Sequence, residues 1–174
     1  MRGFTLALAS AVVLGCASAD KSASTKAGPQ VPKAGLYAVI GTARGDVEVR
    51  LFKDDAPKSV AAFVEQGKAG LYDGVTFARV PGFIVQAAAR KAGDAVPFES
   101  VPGRGFQDAG RLALPAENGS SVPGEIFVTL LPAPWLDGKH AVMGEVTKGL
   151  ELLAAASMEP APLFIARMRF EDRP

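Results

Sequence analysis

One cysteine, Cys16, and one histidine, His140, are all that the 174 residues supply of those two side chains. A lone cysteine excludes a disulfide framework or a thiolate metal cluster built within the chain. A lone histidine excludes most histidine-based metal sites and argues against hydrolases that need a histidine base beside a nucleophile. An excess of one charge is missing too. The 19 Lys and Arg residues nearly balance 18 Asp and Glu, giving a net charge of +1, and they are spread along the chain. That leaves no basic stripe suited to nucleic acid and no acidic surface suited to a cationic partner. There is no phosphate-binding glycine loop and no Gly-x-Ser-x-Gly turn. No metal and no cofactor is expected. What the chain does have is apolar bulk: 48% hydrophobic against 21% charged residues. That is enough for one ordinary domain with a real core.

The first residues read as a targeting segment. Arg2 precedes an apolar run over residues 4–14 that is too short to span a bilayer. Two endings fit. Val13-Leu14-Gly15-Cys16 resembles a bacterial lipobox, in which Cys16 is lipidated and becomes the mature N-terminus. Ala17-Ser18-Ala19 offers a small-x-small site to an ordinary signal peptidase. The lipidated ending is favoured, because the only cysteine stands where the apolar run stops. Either ending exports the mature protein, and the expected location is a bacterial cell envelope, lipid-anchored in the outer membrane or within the periplasm. Residues 17–34 are rich in Ala, Ser, Lys, Pro and Gly, and such a composition buries too little surface to order itself. The expected division is a signal peptide over 1–16, a flexible linker over 17–34 and one folded domain over 35–174.

Within that domain, residues 36–42 and 46–52 read as a hairpin. Val47, Val49 and Leu51 alternate with Glu48 and Arg50, the period of a half-buried strand. Pro57 suits the first position of a helix whose apolar face is Val60, Ala61, Phe63 and Val64, and Gly70 closes it. Strands are predicted over 76–80 and 83–88 around Pro81-Gly82, and a Gly- and Pro-rich loop over 93–110. Further strands follow at 112–114, 125–130 and 141–146, then a helix over 148–157 and a last strand over 163–170. Many short strands with two helices and no regular βαβ alternation point to a mainly β barrel capped by helices.

Two strings carry chemistry. Phe77-Ala78-Arg79-Val80-Pro81-Gly82-Phe83-Ile84-Val85-Gln86 puts an arginine, two phenylalanines and a glutamine on a strand, a turn and a second strand. Trp135-Leu136-Asp137-Gly138-Lys139-His140 follows about fifty residues later. With Arg44-Gly45-Asp46, the segment Asp55 to Val60, Tyr72-Asp73-Gly74, the segment Gly110 to Leu114 and Glu125 to Val128, they resemble in order the cyclophilins, peptidyl-prolyl cis-trans isomerases. The resemblance covers roughly residues 37–170. It implies a closed eight-stranded antiparallel β-barrel with a helix over each end and a substrate groove on the outer face. It also implies roles: Arg79 bonds the twisted amide, Gln86 holds the substrate carbonyl, and Phe83, Ile84, Phe127, Leu136 and His140 wall a proline pocket whose rim is Trp135. Read without it, Phe83, Phe127 and Leu136 are core residues, Trp135 a packing residue, and His140 a loop closed by hydrogen bonds.

The implied reaction suits those residue types. Rotation about an X-Pro amide meets a barrier of about 18–20 kcal/mol, and no bond is made or broken. Twisting makes the amide nitrogen a better acceptor, which a permanently charged planar donor stabilises. Against the family pattern, Ala78 replaces a histidine, the Arg79-to-Pro81 step is one residue shorter, Ala87-Ala88-Ala89 replaces Gly-Gly-Asp, and Glu125 replaces a glutamine. Pro115-Ala116 stands where that family lines its groove with an Ala-Asn-type segment. A shortened strand flips its side chains to the other face unless a bulge compensates. The expected function is therefore isomerisation of X-Pro bonds in extracytoplasmic proteins, with proline-containing peptides or unfolded proteins as partners and the protein a monomer. The alternative is a cyclophilin-fold module that grips such peptides with little or no turnover. A purely structural envelope role is a third.

Overall fold

The computed structural model describes residues 33–80, 82–89, 94–158 and 161–174, with the backbone alone for 79 and 80. The expected signal peptide, the lipidation of Cys16 and nearly all of the expected linker lie outside the described residues. The chain is ordered by strand alternation. In β2 (Gly45–Leu51) Val47, Val49 and Leu51 are buried and the residues between them are partly open to solvent. Gly45 turns the chain from β1 (Gly35–Thr42) with a φ of +130°, a conformation that L side chains rarely adopt.

The further strands are β3 (Thr76–Val80), β4 (Ile84–Ala88), β5 (Arg111–Leu114), β6 (Ala116–Glu117), β7 (Ser120–Ser121), β8 (Glu125–Thr129), β9 (Ala141–Lys148) and β10 (Leu163–Arg173). Eight of them close into an antiparallel barrel in the order β1-β10-β3-β4-β8-β5-β9-β2, while β6 and β7 form a separate hairpin. This is the fold class expected above. The interior holds Ile40, Val47, Val49, Val85, Ile126 and Met143, among others. The helices α1 (Pro57–Lys68) and α2 (Leu150–Met158) add Val60, Phe63 and Leu153 to that same core, as helices covering the open ends of a barrel must.

Both local and distant residues fix the helices. Pro57 sits at the start of α1, and Ala56 before it provides no side-chain cap. Glu99, far along the chain, does that work. Its carboxylate accepts from the Lys58 N–H at 3.1 Å, the Ser59 N–H at 2.6 Å and the Ser59 hydroxyl at 2.7 Å. A negative charge there also complements the helix dipole. The buried face is Ser59, Val60, Phe63 and Gly67, so Ala61, expected inward, is exposed. Gly67 explains the rotation: a Cβ there would lie 2.5 Å from the Phe170 ring, which packs edge-on against Phe63 at 5.7 Å. α2 starts later than expected because β9 runs on to Lys148, and Gly149 then breaks the strand with a φ of +86°.

Candidate functional site

Alternation that fills the barrel also leaves an outward row. Ala78 pairs with Gln86, Gln86 with Phe127, Phe127 with Ala113, and Ala113 with Val142 across five neighbouring strands. Their neighbours Phe77, Val85, Ile126 and Leu112 belong to the interior core. Apolar side chains on an outer face need cover, and here Phe127, Ala113 and Val142 join Phe52, Phe106 and Ala133 in a second core. Phe83, Ile84 and Leu136 pack against it, half-buried.

Phe127 is the centre of this cluster and is 3% exposed. Its ring stacks on Phe106 at 5.8 Å and meets the His140 ring edge-on at 5.3 Å. Phe83 and Trp135 form a second edge-on pair at 5.1 Å, with Trp135 54% exposed at the rim. The result is an apolar well with an open aromatic lip. Beside it lies a pocket of about 250 Å³ walled by Phe98, Val101, Arg104, Phe106, His140 and Val142.

Hydrogen bonds hold the rim. Pro134–Leu136 forms one turn of 3-10 helix, and the Lys139 N–H returns to the Leu136 carbonyl at 3.0 Å. Asp137 then reaches across to the other loop. Its carboxylate accepts from the Phe106 N–H at 2.7 Å and from the Gln107 side-chain amide. Gly105 makes the approach possible, since a Cβ there would lie 2.7 Å from that carboxylate. His140 Nδ1 accepts from the Ala116 N–H at 3.1 Å, which places the proton of the neutral ring on Nε2. Burial, and then the charge of Lys139, push the His140 pKa below its ordinary value.

Of the residues singled out in the sequence, Phe83, Ile84, Phe127, Leu136, His140 and Trp135 come together around this well. Gln86 stands beside Phe127 in the row, and its amide donates to the Glu125 carboxylate at 2.5 Å. Arg79 is placed by its backbone. The β3–β4 ladder runs from Phe77↔Ala87 to Val80↔Ile84 without a shift, so Arg79 pairs with Val85, and Ala78 is the partner of Gln86. Among the described residues of this ladder no bulge makes up for the shortened turn. Sequence reasoning did not find Phe106, which stacks under Phe127, or the Asp137 clamp. An aspartate inside the Trp-Leu-Asp-Gly string was the one available signal. Among the described residues no group of three or more His, Cys, Asp or Glu is placed to hold a metal ion.

Comparison with known proteins agrees with the geometry. The family described as cyclophilin type peptidyl-prolyl cis-trans isomerase/CLD matches residues 37–162. The chain is 36% identical over 130 residues to the peptidylprolyl isomerase domain and WD repeat-containing protein 1 of Mus musculus, covering 69% of this chain and 20% of that protein. It thus spans about a fifth of the length of the first relatives it matches. Against the peptidyl-prolyl cis-trans isomerase ppi1 of Schizosaccharomyces pombe it is 34% identical over 121 residues, covering 64% of this chain and 78% of that protein. A crystal structure of a Cryptosporidium parvum cyclophilin-type isomerase superposes with a TM-score of 0.72 at 20% identity, over 82% of this chain and 100% of that one. With a closed barrel, an aromatic well on its outer face and a family match over most of its length, the chain belongs to the cyclophilin-type peptidyl-prolyl cis-trans isomerases.

Proposed function

We propose that the chain is a peptidyl-prolyl cis-trans isomerase that takes proline-containing stretches of polypeptide on the outer face of its barrel. The observation that carries this is the apolar cluster around Phe127, flanked by Phe83, Ile84, Leu136 and His140 on the outer face of the barrel. A preformed apolar cup holds the ring while the X-Pro amide twists, and polar groups at its edge orient the carbonyl. Gln86 serves that orienting role, and Arg79 supplies the charged donor to the twisted amide. A neighbour of the same fold, the Cryptosporidium parvum isomerase, was crystallised in the presence of the dipeptide Ala-Pro, which supports proline peptides as the ligand class.

A second reading has its own observation. The position across from Gln86 in the β3–β4 ladder belongs to Ala78 rather than to Arg79. Groups that act together on one amide must share a face. On this reading the domain binds proline peptides and turns them over slowly. The two readings part in an isomerisation assay on a short X-Pro peptide with the full chain. The first expects Arg79→Ala to lower kcat/KM about a hundredfold with the fold intact. The second expects Arg79→Ala to change nothing and Ala78→Arg to raise turnover.

The N-terminal sequence supports a site of action outside the cytoplasm of a bacterium, with the protein anchored through Cys16; the clients proposed are folding proteins of the cell envelope, and the protein is proposed to act as a monomer. Mass spectrometry of the mature N-terminus tests this. A diacylglyceryl group on Cys16 upholds the anchor, whereas a mature chain starting after Ala19 removes it.

A further inference from the structure

A second concavity opens on the same outer face. It is a groove of about 720 Å³ with Ala78, Gln86 and Ala88 on its floor and Leu71, Val75 and Phe164 as walls. That volume is in the range of ligand sites, and the lining is mixed, with Leu71, Val75 and Phe164 as its bulky apolar members beside Asp73 and Thr76. Phe164 is 49% exposed, a large aromatic surface left open beside a cavity.

The strand register explains the shape. Phe164 pairs with Thr76 from β10 to β3, Ala78 with Gln86 from β3 to β4, and Gln86 with Phe127 from β4 to β8. Cross-strand partners share a face. Short side chains at 76, 78 and 88 leave the space between Phe164 and Gln86 empty. Gln86 therefore borders this groove on one side and pairs with Phe127 of the proline well on the other. Three strand steps separate β10 from β8. At about 4.8 Å per step that is roughly 14 Å, a distance an extended peptide covers in about four residues.

We infer that the groove is a second subsite of the peptide-binding face, taking one aromatic or large aliphatic side chain about four residues from the proline on the same extended polypeptide. The inference rests on the reading of the Phe127 well as the proline site. Continuity through Gln86 is what assigns both concavities to one ligand. The substrate class is narrowed accordingly, to prolines with a bulky apolar residue nearby, a residue that folded proteins mostly bury and unfolded chains expose.

The test is calorimetric titration of the full chain with an all-alanine peptide holding one central proline, and with a series in which a single Phe is moved through the positions on either side. One Phe position is expected to bind about tenfold tighter than the all-alanine peptide. Phe164→Ala should abolish that gain and leave the affinity for the all-alanine peptide unchanged. Ala88→Tyr, which fills the floor from an exposed position, should abolish it as well. A Phe series that is flat, or a gain that survives both variants, overturns the subsite. The all-alanine peptide reads the proline well alone, so failure to bind it overturns the functional reading instead.

Discussion

On the proposed function Phe127 serves folding and binding with one ring. It is the hub of the outer core, packed on Phe106, and also the floor of the well. Phe127→Ala should cost about 3–5 kcal/mol in chemical denaturation, since a cavity is left where a ring was buried. The same change should abolish detectable peptide binding. Trp135→Ala, at the open rim, should leave the denaturation midpoint nearly unmoved, and an equal loss of stability in both variants would refute this division of roles. At this scale much was legible. Trp135 and His140, the single tryptophan and histidine, stand with Leu136 in one short string, and the structure gathers them with Phe83 and Phe127 at one place. The reading of His140 as a loop closed by hydrogen bonds also holds, through its bond from Ala116. Phe106 was not legible, because a phenylalanine in a Gly- and Pro-rich loop carries no periodic signal about which face it will cover.

Elements show where local pattern ends and long-range contact begins. Strand β2 and the start of α1 follow from Val47, Val49, Leu51 and Pro57 alone. The cap of α1 does not, because Glu99 lies on a loop forty residues away in sequence. The β6–β7 hairpin carried a local signal, Asn118-Gly119, with φ of +51° and +80°, yet strands of two residues are too short for alternation to register. The β3–β4 register is the sharpest case. The shortened turn showed in the sequence, but only the ladder reveals that its described residues pair without a bulge. The rim is likewise an assembly of two loops. Asp137 ties the Trp135 turn to residues 105–107. Asp137→Ala should weaken peptide binding about tenfold through loss of this positioning and cost only about 1 kcal/mol of stability. A shift in the fluorescence of Trp135, the single tryptophan, checks that the rim has moved.

For the whole molecule, charge ties the barrel together. Glu145 accepts from Arg50 at 2.8 Å and Arg111 at 2.8 Å, joining β9 to β2 and β5. Glu48 accepts from Arg173 at 2.6 Å and from Lys148 at 3.2 Å. The hydrogen bond from Arg173 above all holds the Glu48 pKa below its ordinary value. Burial pushes Glu145 upward, but Arg50 and Arg111 together outweigh it and leave that carboxyl lowered as well. A depressed folded pKa means that the unfolded chain binds protons first as pH falls. These carboxylates therefore stabilise fully above the ordinary value of 4.5, and their contribution is lost as pH falls through the depressed folded values. His140 has the same sign, with a contribution present above about 6.5 and lost below it as the imidazole gains a proton. Melting temperatures should thus decline in two stages on acidification, and His140→Asn should erase only the first. A single decline, unchanged by that variant, would show that His140 does not report on folding.

On the proposed function, closure of the eight-stranded ladder has a consequence for the unfolded chains that meet it. Sticky, half-folded clients spread by adding themselves to bare strand margins, where unpaired amides and carbonyls act as a template. A sheet rolled until its last strand meets its first offers them no such margin. On that reading, a chain held by its proline on the outer wall meets no open barrel edge to which it could add itself.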